Sequence, residues 1–428
     1  MNGQAARAEF DVSVVGLGRV GLPLALSFAD RGLKVLGVDK DPGILGPLGS
    51  GRMPFEEPGV QGVLDRVRSA QRFTLAQAAA EAARAENIVL TLGTPSFSHI
   101  ESDLSQIRSA VDDLLPLLRA GHTVILRSTV APGTTDFVSG YIEKHSGLRV
   151  GQDVFVAHAP ERIAAGRFLE EIATLPCIVA GVGDESTERT AQLFSTLGAP
   201  IERTTPVQAE LAKIWTNILR YAMFALPNLL MMDCERYGAN VFEVIDMINH
   251  DYPRGGMKLP GLTGGTCLRK DFAFSEERSN APGMLLAVSR VNEAVPLFLV
   301  EGAKRRLGGL ANRKIGVLGL TFKRNTDDER DSLAPKLIRL LERELADVAV
   351  CDPHAVSPTQ SLSEAVQGAE AIIVTTNHAE FERPEVMAEI LASAAESCLL
   401  VDPWNVLGTG QVFAFAREFA ATPELQQP

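Results

Sequence analysis

Residues 11–39 read DVSVVGLGRVGLPLALSFADRGLKVLGVD, and this stretch decides the fold. An apolar run, a glycine turn, a helical pattern and a second apolar run predict the strand–turn–helix–strand start of a parallel sheet. The turn, Gly16-Leu17-Gly18-Arg19-Val20-Gly21, has G-x-G-x-x-G spacing directly after the first strand. In such a turn the first glycine permits the tight bend, the second lets backbone approach a pyrophosphate, and the third allows close helix–strand packing. The helix that follows adds positive potential at its N-terminus. Asp39 ends the second strand, where a carboxylate accepts hydrogen bonds from ribose hydroxyls and repels a 2′-phosphate. The expected cofactor is therefore NAD rather than NADP, held by Gly16, Gly18, Val20, Gly21 and Asp39.

Working outward, NIVLTLGTP (87–95) and TVILRSTV (123–130) continue the buried strands. The same order returns late in the chain as RKIGVLGLTF (313–322), DVAVCDPH (347–354), AIIVTTNH (371–378) and LLVDPWN (399–405). This second half lacks the third glycine, so its ligand is not expected to be a second dinucleotide. Between the halves the texture is helical. Pro206 suits a first turn and Gly238 an end, and Leu211, Ile214, Trp215, Ile218, Leu219 and Ala222 recur at helical spacing. Pro227 is expected to kink or interrupt that helix. The fold class read from this is α/β, with two Rossmann-like doubly wound domains joined by a central helical spine. The expected parts are an NAD-binding domain (1–205), a central helical domain whose long helix is a natural dimer surface (206–310) and a second Rossmann-like domain (311–428).

Composition excludes several classes. The chain has 428 residues and a net charge of −12, which argues against nucleic acid as a partner. Five scattered cysteines show neither a disulfide framework nor metal-ligand spacing, so no metal is expected. The longest apolar stretch, Tyr221 to Met232, is too short for a bilayer, so no membrane partner is expected and the cytoplasm is the expected location.

Candidate chemistry gathers in two places. Cys267 follows Gly264-Gly265 and precedes Lys270-Asp271, and nearby cations favour the nucleophilic thiolate. Lys213, Asn217 and Arg220 stand at i, i+4 and i+7, which puts an ammonium and an amide side by side as a cradle for an oxyanion. Spacing alone leaves an inert cysteine and a solvated stripe open as readings.

Taken together, VVGLGRVGLPLA, TLGTP, RSTVAPGTT, APERIAAGR, AELAKIWTNILRY, TGGTCLRKD and GLTFKRNTDDERDS resemble, in order, the UDP-glucose/GDP-mannose dehydrogenase family. The likeness covers nearly the whole chain. It implies NAD-dependent four-electron oxidation of the C6 alcohol of a nucleoside-diphosphate hexose, UDP-glucose-like, to the uronic acid, and a homodimer. Cys267 resembles the nucleophile that captures the aldehyde as a thiohemiacetal and passes through a thioester. Lys213 and Asn217 resemble the oxyanion-stabilising pair, Asp271 the carboxylate that positions water, and Glu161 the glutamate of thioester hydrolysis. Thr94 and Thr129 match threonines that contact NAD or position water, with Thr129 counted among the catalytic residues and Arg330 among the cofactor contacts. The resemblance further implies that Glu161, Lys213, Asn217, Arg254, Gly264 and Lys323 contact the sugar nucleotide. Residues 216–221 and 160–167 lean towards members acting on N-acetylated hexosamines, of the UDP-N-acetylmannosamine type, whereas Lys270 does not. Sugar and base therefore stay open. A two-electron dehydrogenase of the hydroxyacid type is the remaining alternative; it needs neither the cysteine nor the second Rossmann-like half.

Overall fold

The computed structural model describes residues 8–94, 103–276 and 283–420. The chain divides into two compact units: Met1–Thr216 with Ala273–Arg278, and Asn217–Phe272 with Ser279–Pro428.

The first unit is built on eight strands: β1 (Phe10–Val15), β2 (Val35–Val38), β3 (Phe73–Ala76), β4 (Ala85–Leu90), β5 (Thr123–Leu126), β6 (Phe155–His158), β7 (Cys177–Gly181) and β8 (Ile201–Arg203). Their order across the sheet is β3-β2-β1-β4-β5-β6-β7-β8. The first six are parallel in the 3-2-1-4-5-6 order of a dinucleotide fold. Strand β7 runs antiparallel to β6, and β8 parallel to β7. Alternate residues of one strand enter different cores. Val89 and Ile125 join Leu22, Leu26 and Phe28 on one face, while Ile88, Leu90, Val124 and Leu126 join Ile107, Val111 and Leu114 on the other. Both faces are covered, which is why these strands read as continuous apolar runs.

The second unit repeats the plan with β9 (Lys314–Leu318), β10 (Asp347–Cys351), β11 (Ala371–Val374), β12 (Leu399–Val401) and β13 (Phe413–Phe415), ordered β10-β9-β11-β12-β13. Only β13 is antiparallel. The likeness between the halves reaches individual atoms. In the first, the Leu17 N–H donates to Asp39 Oδ2 at 2.6 Å, and Thr91 Oγ1 donates to the Gly16 carbonyl at 2.5 Å. In the second, the Leu320 N–H donates to Asp352 Oδ2 at 2.6 Å, and Thr375 Oγ1 donates to the Gly319 carbonyl at 2.5 Å.

A 32-residue helix, Pro206–Tyr237, follows β8 and ends at Gly238, whose φ of 68° is the left-handed stop expected there. Of the kink or interruption expected at Pro227, the interruption does not occur: the helix is continuous through it. One lost backbone hydrogen bond is outweighed by the contacts that bury Tyr221, Ala225, Asn228 and Met231 on either side. No helix among the described residues is long and apolar enough to cross a membrane.

Candidate active site

The glycine turn of the first unit opens a cleft of about 750 Å³ lined by Gly16, Gly18, Asp39, Lys40, Thr91, Gly93, Ser105 and Asp113, among others. A Cβ at Gly21 would lie 1.8 Å from the Gly16 carbonyl oxygen, so no larger residue can follow this turn. A Cβ at Gly18 would meet nothing within 4 Å, which leaves its backbone open to a close ligand. Val20 is the N-terminal cap of the helix Gly21–Asp30. Asp39 accepts the Leu17 N–H with one oxygen and the Asp41 N–H with the other, at 2.6 and 2.9 Å. A carboxylate has about four acceptor positions, so both oxygens keep capacity for ribose hydroxyls. This cleft fits a dinucleotide.

Beyond β4 and β5, Thr94 Oγ1 donates to the Thr129 carbonyl at 2.7 Å, bringing the two predicted threonines together. Arg127, next to the end of β5, is buried and pairs with Glu161 at 2.5 Å. Burial alone would push the Arg127 guanidinium down, yet the Glu161 charge outweighs it and holds the group firmly protonated. The Ile163 N–H donates to the other Glu161 oxygen at 2.7 Å. Lys213, on the long helix, is buried, and its charge reaches His158 at the end of β6. One turn earlier, buried Glu210 accepts the Gly133 N–H (2.7 Å), the Thr135 N–H (2.8 Å) and the Thr135 hydroxyl (2.6 Å). That carboxylate closes the N-terminus of the helix Thr134–Ser146 and fixes the loop carrying Thr129.

In the second unit, Cys267 is the exposed second residue of the helix Thr266–Glu276. A helix N-terminus favours thiolate over thiol. Gly265 has φ 93°, and a Cβ there would strike the Phe322 ring at 2.6 Å; Gly264 packs against the Asp331 backbone. One turn beyond Cys267, Asp271 is fully buried and accepts Asn217 Nδ2 at 2.6 Å and Lys270 Nζ at 2.9 Å. Arg330 is held protonated first by its hydrogen bonds to Asp328 and also by the Cys267 charge. It lies in this second unit. Lys323 is half-buried in the turn after β9, where its carbonyl accepts the Thr326 hydroxyl at 3.0 Å. Arg254 is exposed and stacks on Tyr252 at 4.7 Å. Arg220, expected on the face of Lys213 and Asn217, is exposed while those two are buried.

Family models of the UDP-glucose/GDP-mannose dehydrogenase family match in three blocks: its NAD binding domain over residues 10–197, its central domain over 207–294 and its UDP binding domain over 316–409. The chain belongs to this family. A UDP-N-acetyl-D-mannosamine dehydrogenase of Pyrococcus horikoshii is 31% identical over 92% of this chain and 96% of its own. The solved structure of the UDP-D-ManNAc dehydrogenase from Pyrococcus horikoshii superposes with a TM-score of 0.87 at 30% identity, covering 95% of this chain and 99% of that one. A UDP-glucose dehydrogenase from Pyrobaculum islandicum gives 0.81 at 29% identity, over 94% and 95%. The protein is thus an NAD-dependent nucleotide-sugar dehydrogenase.

Several buried polar groups of this dehydrogenase escape the reading of its sequence, among them Arg127, His158, Glu210 and the Asp352–His378 pair. Arg127 left a trace, a charge abutting the apolar run 123–126. The Asp352 carboxyl is raised by burial but held well below the carboxylate range by His378 and the Leu320 and Thr321 N–H groups. The counterpart of Asp39 is therefore already occupied, which suits a half whose ligand is not a second dinucleotide.

Proposed function

We propose that this dehydrogenase oxidises the C6 alcohol of a UDP-linked N-acetylhexosamine to the carboxylate, through a thioester on Cys267. The observation that carries this is the exposed thiol at a helix N-terminus, one turn from a buried carboxylate held by an amide and an ammonium. Gly16, Gly18, Val20, Gly21 and Asp39, with Thr94, Thr129 and Arg330, would hold NAD+, which when bound would supply the hydride acceptor for each of two oxidations at C6. In the first, the alcohol loses its proton to a water held by Asp271. The Cys267 thiolate then adds to the C6 aldehyde, and the Lys213 ammonium and Asn217 amide stabilise the resulting oxyanion. Loss of the second hydride leaves the thioester. Water positioned by Thr129, Asp271 and Glu161 attacks its carbonyl, the C–S bond breaks, and the carboxylate leaves the restored thiol. Lys323, Arg254, Glu161 and Gly264 hold the sugar nucleotide.

The names of the relatives support the N-acetylhexosamine reading, since the P. horikoshii protein is a UDP-N-acetyl-D-mannosamine dehydrogenase. The P. islandicum structure supports UDP-glucose as the second reading. Residues 1–205 serve NAD, 206–310 bear the cysteine and the dimer surface, and 311–428 serve the sugar nucleotide. The scattered cysteines and the NAD requirement support a cytoplasmic location, and the apolar stripe of the long helix supports a homodimer.

Cys267→Ser tests the reading. Serine has a far higher pKa and its ester is a slower leaving group, so turnover to the acid should be lost with the fold intact. Wild-type acid formation by this variant would sink the mechanism. Initial rates with UDP-N-acetylmannosamine, UDP-N-acetylgalactosamine and UDP-glucose choose the sugar.

A further inference from the structure

His158 ends β6 and is completely buried. Its Nδ1 meets the Leu126 carbonyl at 3.0 Å. A carbonyl only accepts, so Nδ1 bears the hydrogen and Nε2 presents a lone pair. Among the described residues that lone pair has no donor, although the atom is out of reach of solvent. Buried acceptors are ordinarily matched, so this one calls for a donor close by.

The sheet register indicates what the ring faces. His158 pairs with Ala180 of β7, which places both side chains on one face of the sheet. Ala180 packs against Ala209 of the long helix, and Lys213 is the residue one turn beyond Ala209. The charged groups acting on the ring are Arg127 and Lys213. Arg127 is pinned through both terminal nitrogens, to the carbonyls of Ala159 and Pro160 and to Glu161. Burial, first, and these two cations push the imidazole down to about 3, so the ring is neutral in the working range.

We propose that His158 is a positioning residue for Lys213: its Nε2 accepts one ammonium N–H and so aims the others at the oxyanion formed on the substrate. The proposal rests on the oxyanion role of Lys213 given above.

His158→Leu removes the acceptor, and His158→Gln restores one near the position of Nε2. The Leu variant should lose about tenfold or more in kcat with KM for both substrates within about twofold, and Gln should recover most of it. A folded Leu variant with wild-type kcat, or a Gln variant as poor as Leu, overturns the assignment. A 15N spectrum of the histidines in the full-length protein gives an answer even where the Leu variant fails to fold. Lys213→Met should shift the His158 Nε2 resonance, and an unmoved resonance overturns the contact. Lys213→Met that retains full turnover would instead remove the oxyanion reading, so the two failures are distinguishable.

Discussion

Asp39 accepts the Leu17 N–H that shapes the glycine turn, and the same carboxylate faces the cleft where ribose would lie. Its removal should therefore weaken NAD+ more than NADP+. A hydrogen bond to a charged group is worth roughly 1.5–3 kcal/mol, or about 10- to 100-fold. Asp39→Ala should lower kcat/KM for NAD+ by that order and narrow its preference over NADP+. Steady-state kinetics with both cofactors check this, and an unchanged ratio would remove Asp39 from cofactor choice. Residues of this kind are legible in sequence because their constraint is local: a Cβ at Gly21 would lie 1.8 Å from the Gly16 carbonyl oxygen, and only glycine survives there. Cys267 stood out as a candidate through its glycines and the neighbouring Lys270-Asp271, and the family resemblance singled it out as the nucleophile. His158 was not legible, because an isolated histidine in an apolar strand gives no sign of which ring nitrogen lacks a partner. Nor could spacing show that Arg127 would pair with Glu161, which stands 34 residues later.

At the scale of elements, continuous apolar runs and glycine punctuation revealed both sheets, because strands covered on two faces are written as unbroken apolar runs. The long helix was legible from Pro206 to Gly238, but the effect of Pro227 was not, since tertiary contacts rather than propensity settle it. Glu210 shows how the helix governs a neighbour. Its three acceptor contacts cap the helix Thr134–Ser146, and each buried N–H left unpaired costs about 1–3 kcal/mol. Glu210→Ala should lower stability by roughly 2–4 kcal/mol in denaturant unfolding, with Glu210→Gln between it and wild type. Burial pushes the Glu210 carboxyl up against those hydrogen bonds. In that case the folded state holds the proton longer than the unfolded one, and stability falls as pH rises from about 4.5 through the folded pKa. The Gln variant should lack that component, and an identical pH dependence in both proteins would contradict the assignment.

On the scale of the whole molecule, one face of the long helix is left in water. Trp215 is 49% exposed, Leu219 60% and Leu226 57%, with Leu211, Met223 and Leu229 completing the stripe. Apolar area is worth about 25 cal/mol per Å² when buried, and a symmetric pairing of two copies is the commonest way to bury it. Sedimentation equilibrium at micromolar concentration should give twice the 46.0 kDa chain mass, and Leu219→Glu should shift it towards the monomer. A fully active wild-type monomer would contradict the pairing. The number of electrons removed from each sugar tests the account most directly. With limiting sugar nucleotide and excess NAD+, absorbance at the NADH band should reach two NADH per sugar consumed, with no aldehyde released. One NADH per sugar, with the aldehyde as product, would contradict the thioester route and the role of Cys267 with it.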